Sequence, residues 1–225
     1  MFPIRDTRTT GQTPIITILL ILVNIWVFLQ ELISPNLDQF INTYALIPAQ
    51  VNFFNYQTLA PFITFQFLHA GFLHIASNMW FLWVFGPNLE AVLGKMKFLL
   101  FYLLAGIFSG LIQFFFLAST NPAIPMLGAS GAIAGVLGAY LKLFSNHRIE
   151  TMLLIFFLPF FIALPAGLML IYWFFTQLFN GVASIYEGTA AVGGVAWWAH
   201  VGGFTFGWLL IDNFGPIRKK LFLSR

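Results

Sequence analysis

Apolar residues in this chain occur in long runs that are separated by short polar segments. An uninterrupted apolar run of about 20 residues predicts a helix that crosses a membrane. The first run follows a short polar N-terminus and is too long for the core of a cleavable signal peptide. The chain therefore predicts six spans, with these approximate bounds: Pro14–Ile33, Phe72–Leu89, Phe98–Leu117, Ala129–Phe144, Pro165–Phe179 and Ala196–Ile211.

Two further segments are not counted as spans. Ser34–Ala70 mixes polar and apolar residues, which is typical of a segment at the membrane interface. A straight helix over Met152–Phe179 would be about 42 Å long, against a hydrocarbon core of about 30 Å. Because Pro159 and Pro165 interrupt that helix, we expect Met152–Leu164 to form an interfacial or loop segment.

Composition supports a membrane protein and excludes several other classes. Of the 225 residues, 60% are hydrophobic and 8% are charged, whereas a soluble domain has about 25% charged residues. A soluble domain, a disordered chain and a nucleic-acid binder are excluded, despite the isoelectric point of 9.3. The absence of cysteine excludes disulfides and thiolate chemistry. We predict an all-α polytopic protein with a short N-terminus (1–13), a six-span domain (14–212) and a basic tail (213–225).

Charge predicts the orientation of these spans. With six spans, every Lys and Arg falls on one side of the membrane, so the positive-inside rule puts both termini in the cytoplasm, most simply at the cell membrane. On this topology His147 lies in a cytoplasmic loop, where we expect it to be solvated. The basic residues are Arg5, Arg8, Lys95, Lys97, Lys142, Arg148, Arg218, Lys219, Lys220 and Arg225.

The first candidate for chemistry is Ser130, within Gly128-Ala-Ser-Gly131 at the outer end of the fourth span. The glycines permit close approach, and the free N–H groups of the first helical turn suit an oxyanion. The competing interpretation is a small-residue packing motif. The segment is not a Gly-x-Ser-x-Gly nucleophile elbow, since position 132 is alanine.

The second candidate is His200, which shares a helical face with Gly203 and Gly207 at spacings of three and four. That face is complementary to the small residues that follow Ser130, among them Gly131. Packing the two faces would bring His200 next to Ser130 near the outer surface. A packing or ligand role is the alternative for a lone histidine.

The third candidate is the segment His69–Asn78, which enters the second span. His74 and Asn78 are four residues apart and present two hydrogen-bond donors on one face. The alternative is a metal site formed by His69, His74 and His200. Because no acidic residue lies nearby to complete it, we expect neither a metal nor another cofactor.

Together these motifs resemble the rhomboid family of intramembrane serine proteases. His69–Met79 is similar to the family's second-span His-x-x-x-Asn motif with an upstream histidine. Gly128–Gly131 matches Gly-x-Ser-Gly, and Ala199–Gly207 matches Ala-His-x-x-Gly-x-x-x-Gly. The resemblance extends over about residues 44–210 and implies a six-helix bundle with a water-filled cavity that opens outward.

The resemblance also implies roles for individual residues. Ser130 would be the nucleophile and His200 its general base. His74 and Asn78 would donate to the oxyanion, with the Ser130 N–H. Glu90 would be a structural carboxylate at the inner end of the second span. The other residues with supporting roles would be His69, Gly128, Gly131, Gly203 and Gly207.

One departure from the family concerns how His200 is held. Some rhomboids place an aromatic residue four positions after the serine, where it stacks on the catalytic histidine. This chain has Ala134 there, so we expect Trp197, Trp198 or Phe204 to hold the ring.

The expected partners are the lipid bilayer and transmembrane protein substrates, without nucleic acid, and the sequence does not indicate an oligomeric state. A transporter or channel is disfavoured, because the chain has neither internal repeats nor charges at the middle of a span. A catalytically inactive relative would lack the serine or the histidine, and both are present.

Overall fold

The structure is a computed structural model that describes residues 2–186 and 195–215. Each predicted apolar run forms a helix, and the long first connection contains two short helices. Most of the predicted basic tail, residues 216–225, lies outside the described residues. The helices are α1 (Ile15–Ile33), α2 (Leu37–Tyr44), α3 (Pro61–Thr64), α4 (Phe72–Leu93), α5 (Lys95–Thr120), α6 (Ser130–Phe144), α7 (Ala166–Tyr186) and α8 (Trp197–Leu210).

The helices differ in how well they suit a membrane crossing. Among the described residues, α1, α5 and α7 are long and apolar enough to span a membrane alone. Residues 56–67 and α4 are bent by 82° relative to each other, and counting this pair as one span gives four candidate spans. At 1.5 Å per residue, α6 and α8 are only about 21–23 Å long, shorter than a hydrocarbon core of about 30 Å. The count of six spans therefore stays a prediction.

The expectation of an all-helical fold is wrong in one respect, because the structure contains a three-stranded antiparallel sheet. Its strands are β1 (Phe2–Asp6), β2 (Arg148–Ile155) and β3 (Leu158–Pro165), in that order. The expected interfacial or loop segment, Met152–Leu164, lies within the β2–β3 hairpin. Pro159 disfavours a helix there, and strand pairing gives the backbone N–H and C=O groups partners instead.

A buried polar cluster attaches β1 to the helices. The Asp6 carboxylate accepts hydrogen bonds from Asn88 of α4 at 2.6 Å and from the Tyr140 hydroxyl of α6. Its Oδ2 atom also lies 2.7 Å from Nδ1 of His147. The expectation that His147 is solvated is therefore wrong: the residue is 6% exposed, because the N-terminal strand covers it. The partner of His147 is Asp6, which is distant in sequence.

Glu90 anchors the start of α1 from the inner end of α4. The carboxylate is 4% exposed and accepts from the Ile16 and Thr17 amides and from the Thr17 hydroxyl, at 2.8–2.9 Å. The first amides of a helix have no acceptor within it. At the residue that precedes α1, Pro14, no side chain caps the helix. Glu90 thus supplies the acceptor that α1 lacks.

We expect Glu90→Ala to lower the free energy of unfolding by about 2–4 kcal/mol, because buried donors lose a charged acceptor. Unfolding of the detergent-solubilised protein, followed by circular dichroism, measures the change. Glu150→Ala is the matched control: this carboxylate binds Arg5 in an exposed ion pair at 2.7 Å, and its loss should have little effect. Equal effects of the two substitutions would contradict this role for Glu90.

Candidate active site

Three helices, α4, α6 and α8, begin around one cavity of about 810 Å³. We call this the cavity end of the bundle, and the opposite end, next to Glu90 and β1–β3, the sheet end. The four polar residues with predicted chemical roles all line the cavity, although they come from three helices. They are Ser130, His200, His74 and Asn78.

Glycines bring α6 and α8 into backbone contact. A Cβ atom at Gly203 would lie 2.0 Å from the Gly131 carbonyl oxygen, and one at Gly207 would lie 1.9 Å from that of Gly135. Any larger residue would force the helices apart. His200 lies one turn before Gly203 on the same face of α8, so the contact holds this histidine close to the first turn of α6.

Ser130 is the first residue of α6 and follows a loop that His74 approaches closely. A Cβ atom at Gly128 would lie 2.9 Å from Cε1 and 3.0 Å from Nε2 of His74, and 3.8 Å from the Ser130 hydroxyl oxygen. Gly128 also has a φ of 128°, which side-chain-bearing residues rarely adopt. Both features require glycine, and they leave the His74 ring next to the serine.

His74 and Asn78 both line the cavity, and each carries a hydrogen-bond donor. The Ala70 amide donates to Nδ1 of His74 at 3.2 Å, so in the neutral ring the proton is on Nε2, the atom nearest the Ser130 loop. The Asn78 side chain is buried, and its Nδ2 has no hydrogen-bond partner within the described residues. A buried donor without an acceptor costs about 1–3 kcal/mol. Both donors therefore suit an acceptor that enters the cavity.

His69 packs against His74. Its ring contacts the His74 ring at a centroid distance of 5.1 Å, and its amide donates to Glu31 at 3.1 Å. The expectation that no acidic residue lies near these histidines is therefore wrong. Glu31 is the single acid within the predicted spans, and an acid in a span is a functional-site candidate by default. In the described part of the chain, His, Cys, Asp and Glu residues form no group of three that could hold a metal ion.

His200 is held by residues that the sequence did not predict to contact it. Its Nδ1 lies 2.8 Å from Oε1 of Gln177 on α7, and its ring packs on Trp173 at a centroid distance of 5.7 Å. The backbone before it is capped from α5, where Gln113 accepts from the Ala199 amide at 3.1 Å. The lengths of the intervening loops give no indication that these two glutamines meet α8.

Among the three aromatic residues expected to hold His200, one has a ring contact with it. Trp197 meets the imidazole edge-on at 6.2 Å. Trp198 instead packs on Phe116 of α5, and Phe204 stacks on α7 against Phe174 at 4.6 Å. Ala134, four residues after the serine, does not replace the aromatic residue that some rhomboids have there, because it is fully buried in the contact between α6 and α8.

Ser130 and His200 both line the cavity. Within residues 2–186 and 195–215, no hydrogen bond joins the serine hydroxyl to the imidazole. Such bonds are often long in proteins without bound substrate and shorten when the substrate binds. The arrangement therefore offers a hydroxyl, a nearby imidazole and two donors, which is the set that acyl transfer requires.

Comparison with known proteins identifies relatives of this chain. The sequence model of the Rhomboid domain matches residues 56–215. The human mitochondrial presenilin-associated rhomboid-like protein is 35% identical over 102 residues, 45% of this chain and 26% of the relative. The Bacillus subtilis Rhomboid protease GluP is 43% identical over 81 residues, 36% of this chain and 15% of the relative. The matches thus span about a quarter or less of these relatives' lengths.

The α6–α8 contact leads to a prediction for Gly207→Ala. The added methyl group would overlap the Gly135 carbonyl, so we expect a loss of about 1–3 kcal/mol in unfolding free energy as the helices separate. Thermal unfolding in detergent measures it. Gly181→Ala is the control, since a Cβ atom there would meet only side-chain atoms, the Trp198 ring at 3.3 Å and the Trp197 Cβ at 3.5 Å. A smaller loss for Gly207→Ala than for Gly181→Ala would refute the importance of this contact.

Proposed function

This chain belongs to the rhomboid family, and on that premise we propose that it is an intramembrane serine endopeptidase that cleaves transmembrane segments of other proteins. The substrate is a peptide bond that reaches the cavity from the surrounding bilayer. Ser130 is the nucleophile, and His200 is the general base.

The observation that carries this proposal is the pair of donors beside Ser130. His74 presents Nε2–H next to the serine loop, and Asn78 presents an amide that has no partner among the described residues. A tetrahedral intermediate places a negative oxygen beside its nucleophile, and preorganised donors there stabilise it. Several buried polar atoms lack a partner in the described residues, and Asn78 is the one residue among them that lines the cavity with Ser130.

In acylation, the Ser130 oxygen attacks the carbonyl carbon of the scissile bond while Nε2 of His200 takes the hydroxyl proton. The carbonyl oxygen becomes the oxyanion, which accepts hydrogen bonds from His74, Asn78 and the Ser130 amide. One such donor contributes about 3 kcal/mol in other hydrolases. The imidazolium then donates its proton to the leaving amine, and the C–N bond breaks.

In deacylation, water replaces the amine. His200 takes a proton from water as the water oxygen attacks the ester carbonyl, and it returns that proton to the Ser130 oxygen when the ester breaks. A cavity of about 810 Å³ can hold this water beside a substrate strand, since one water molecule occupies about 30 Å³. The proposed reaction uses only side chains, backbone amides and water.

We propose further that the six-span domain, residues 14–212, has both termini on the cytoplasmic side of the cell membrane and its cavity toward the other side. Contacts at the sheet end support this topology. Arg5 pairs with Glu150, and Lys142 of α6 pairs with Asp212 after α8 at 2.7 Å. Basic residues from distant segments thus gather at the end opposite the cavity, as the positive-inside rule expects.

An activated-serine phosphonate probe tests the nucleophile. We expect the detergent-solubilised protein to be labelled, and labelling to be lost in Ser130→Ala and His200→Ala. Ser77→Ala is the matched control, because this serine lines the same cavity, and it should label normally. An unlabelled wild-type protein would favour an inactive relative that only binds membrane proteins, and labelling of Ser130→Ala would refute the assigned nucleophile.

Asn78→Ala tests the oxyanion site. We expect kcat for a transmembrane substrate in proteoliposomes to fall about 10²- to 10³-fold with little change in KM. The melting temperature should not fall in proportion, because the wild-type amide nitrogen makes no hydrogen bond within the described residues. A lower melting temperature with unchanged kcat would instead assign Asn78 a structural role.

A further inference from the structure

We propose that Gln177 is a positioning residue for the catalytic base: its amide oxygen holds the tautomer of His200 in which Nε2 is free to accept the serine proton. This inference deepens the proposed function and rests on it. It assigns the third position of the catalytic arrangement, beside serine and histidine, to a neutral amide on α7.

The orientation of the Gln177 amide follows from its other contacts. Its Nε2 donates to the Trp173 carbonyl at 3.2 Å and lies 2.9 Å from the Thr176 hydroxyl oxygen. That hydroxyl donates its own proton to the Trp173 carbonyl at 2.6 Å, so its oxygen remains an acceptor. Two acceptors on one side of the amide require the NH₂ group there. The Oε1 atom is therefore directed at His200, 2.8 Å from Nδ1.

An acceptor at Nδ1 determines the chemistry of the opposite nitrogen. Because an amide oxygen can only accept, the Nδ1 atom of His200 must carry a proton to make the bond. In the neutral ring the lone pair is then on Nε2, which is the form that a general base requires. After proton transfer the Nδ1–H bond to Gln177 persists, so the imidazolium keeps a partner.

A neutral partner also suits the location. Gln177 is 6% exposed and lies on a helix long and apolar enough to span a membrane. An ionised carboxylate at this position would require desolvation at a cost of several kcal/mol. The amide orients the ring without that cost. It supplies less stabilisation of the imidazolium than an acid would.

Trp173 and Gln177, one turn apart on α7, both contact the His200 ring. Residues four apart share a helical face, and here Trp173 packs on the His200 ring while Gln177 binds its edge. Packing limits the tilt of the ring, and the hydrogen bond sets its rotation. The simpler alternative is that Gln177 only joins α7 to α8, in which case its removal would affect stability but not the tautomer.

Two variants separate these roles. Gln177→Met keeps the approximate length and removes the acceptor, whereas Gln177→Glu keeps an acceptor oxygen. We expect Gln177→Met to lower kcat and the phosphonate labelling rate about 10- to 100-fold, with KM unchanged. Gln177→Glu should recover part of that loss. Equal kcat in wild type and Gln177→Met would overturn the proposal, as would a loss that follows the melting temperature in both variants.

Nitrogen NMR of protein labelled with ¹⁵N-histidine reads the tautomer directly. The chain has four histidines, so comparison with His200→Ala assigns the His200 signals. We expect protonated Nδ1 and bare Nε2 in the wild type, and a mixture of tautomers in Gln177→Met. A wild-type ring protonated on Nε2 would overturn the proposal. This measurement needs no protease activity, so a failure of the proposed function, seen as absent phosphonate labelling, is distinguishable from a failure of the Gln177 assignment.

Discussion

The backbone contact between α6 and α8 is the constraint on which the site depends. Each helix presents glycines where the other presents carbonyl oxygens, and a Cβ atom at Gly203 or Gly207 would lie about 2 Å from a carbonyl oxygen. Apolar burial drives helices together weakly when the surroundings are lipid, so close van der Waals packing has to provide the association. At this separation, two short helices place Ser130 and His200 on one cavity.

Three buried acids outside the cavity are hydrogen-bonded within the fold. Glu90 satisfies the start of α1, Glu31 binds the amide of His69, and Asp6 binds His147. Each of these acids connects segments that are distant in sequence. Several other buried side-chain atoms lack a partner within the described residues, and Asn78 is the one residue among them that lines the cavity. The proposed function assigns its amide nitrogen to the oxyanion.

α7 connects the two ends of the molecule. At the sheet end it continues directly from β3, and farther along it supplies Trp173 and Gln177 to His200. A helix that is long and apolar enough to span a membrane thus also contacts the proposed base. Its position relative to α8 bears on the histidine geometry as directly as the α6–α8 contact does.

The sequence by itself determined the helices and indicated the candidate site residues, because long apolar runs and the motifs around Ser130 and His200 are local signals. Only the tertiary structure decided which residues distant in sequence are in contact. The β1–β2 contact joins residues more than 140 positions apart and buries His147, and no local pattern predicts such a partner. Likewise, nothing in the sequence distinguishes Gln177 from other polar residues in apolar helices, and only the packing of α7 on α8 places its oxygen against His200. Sequence motifs indicate candidate reactive groups, whereas the partners that orient those groups depend on which helices pack against each other.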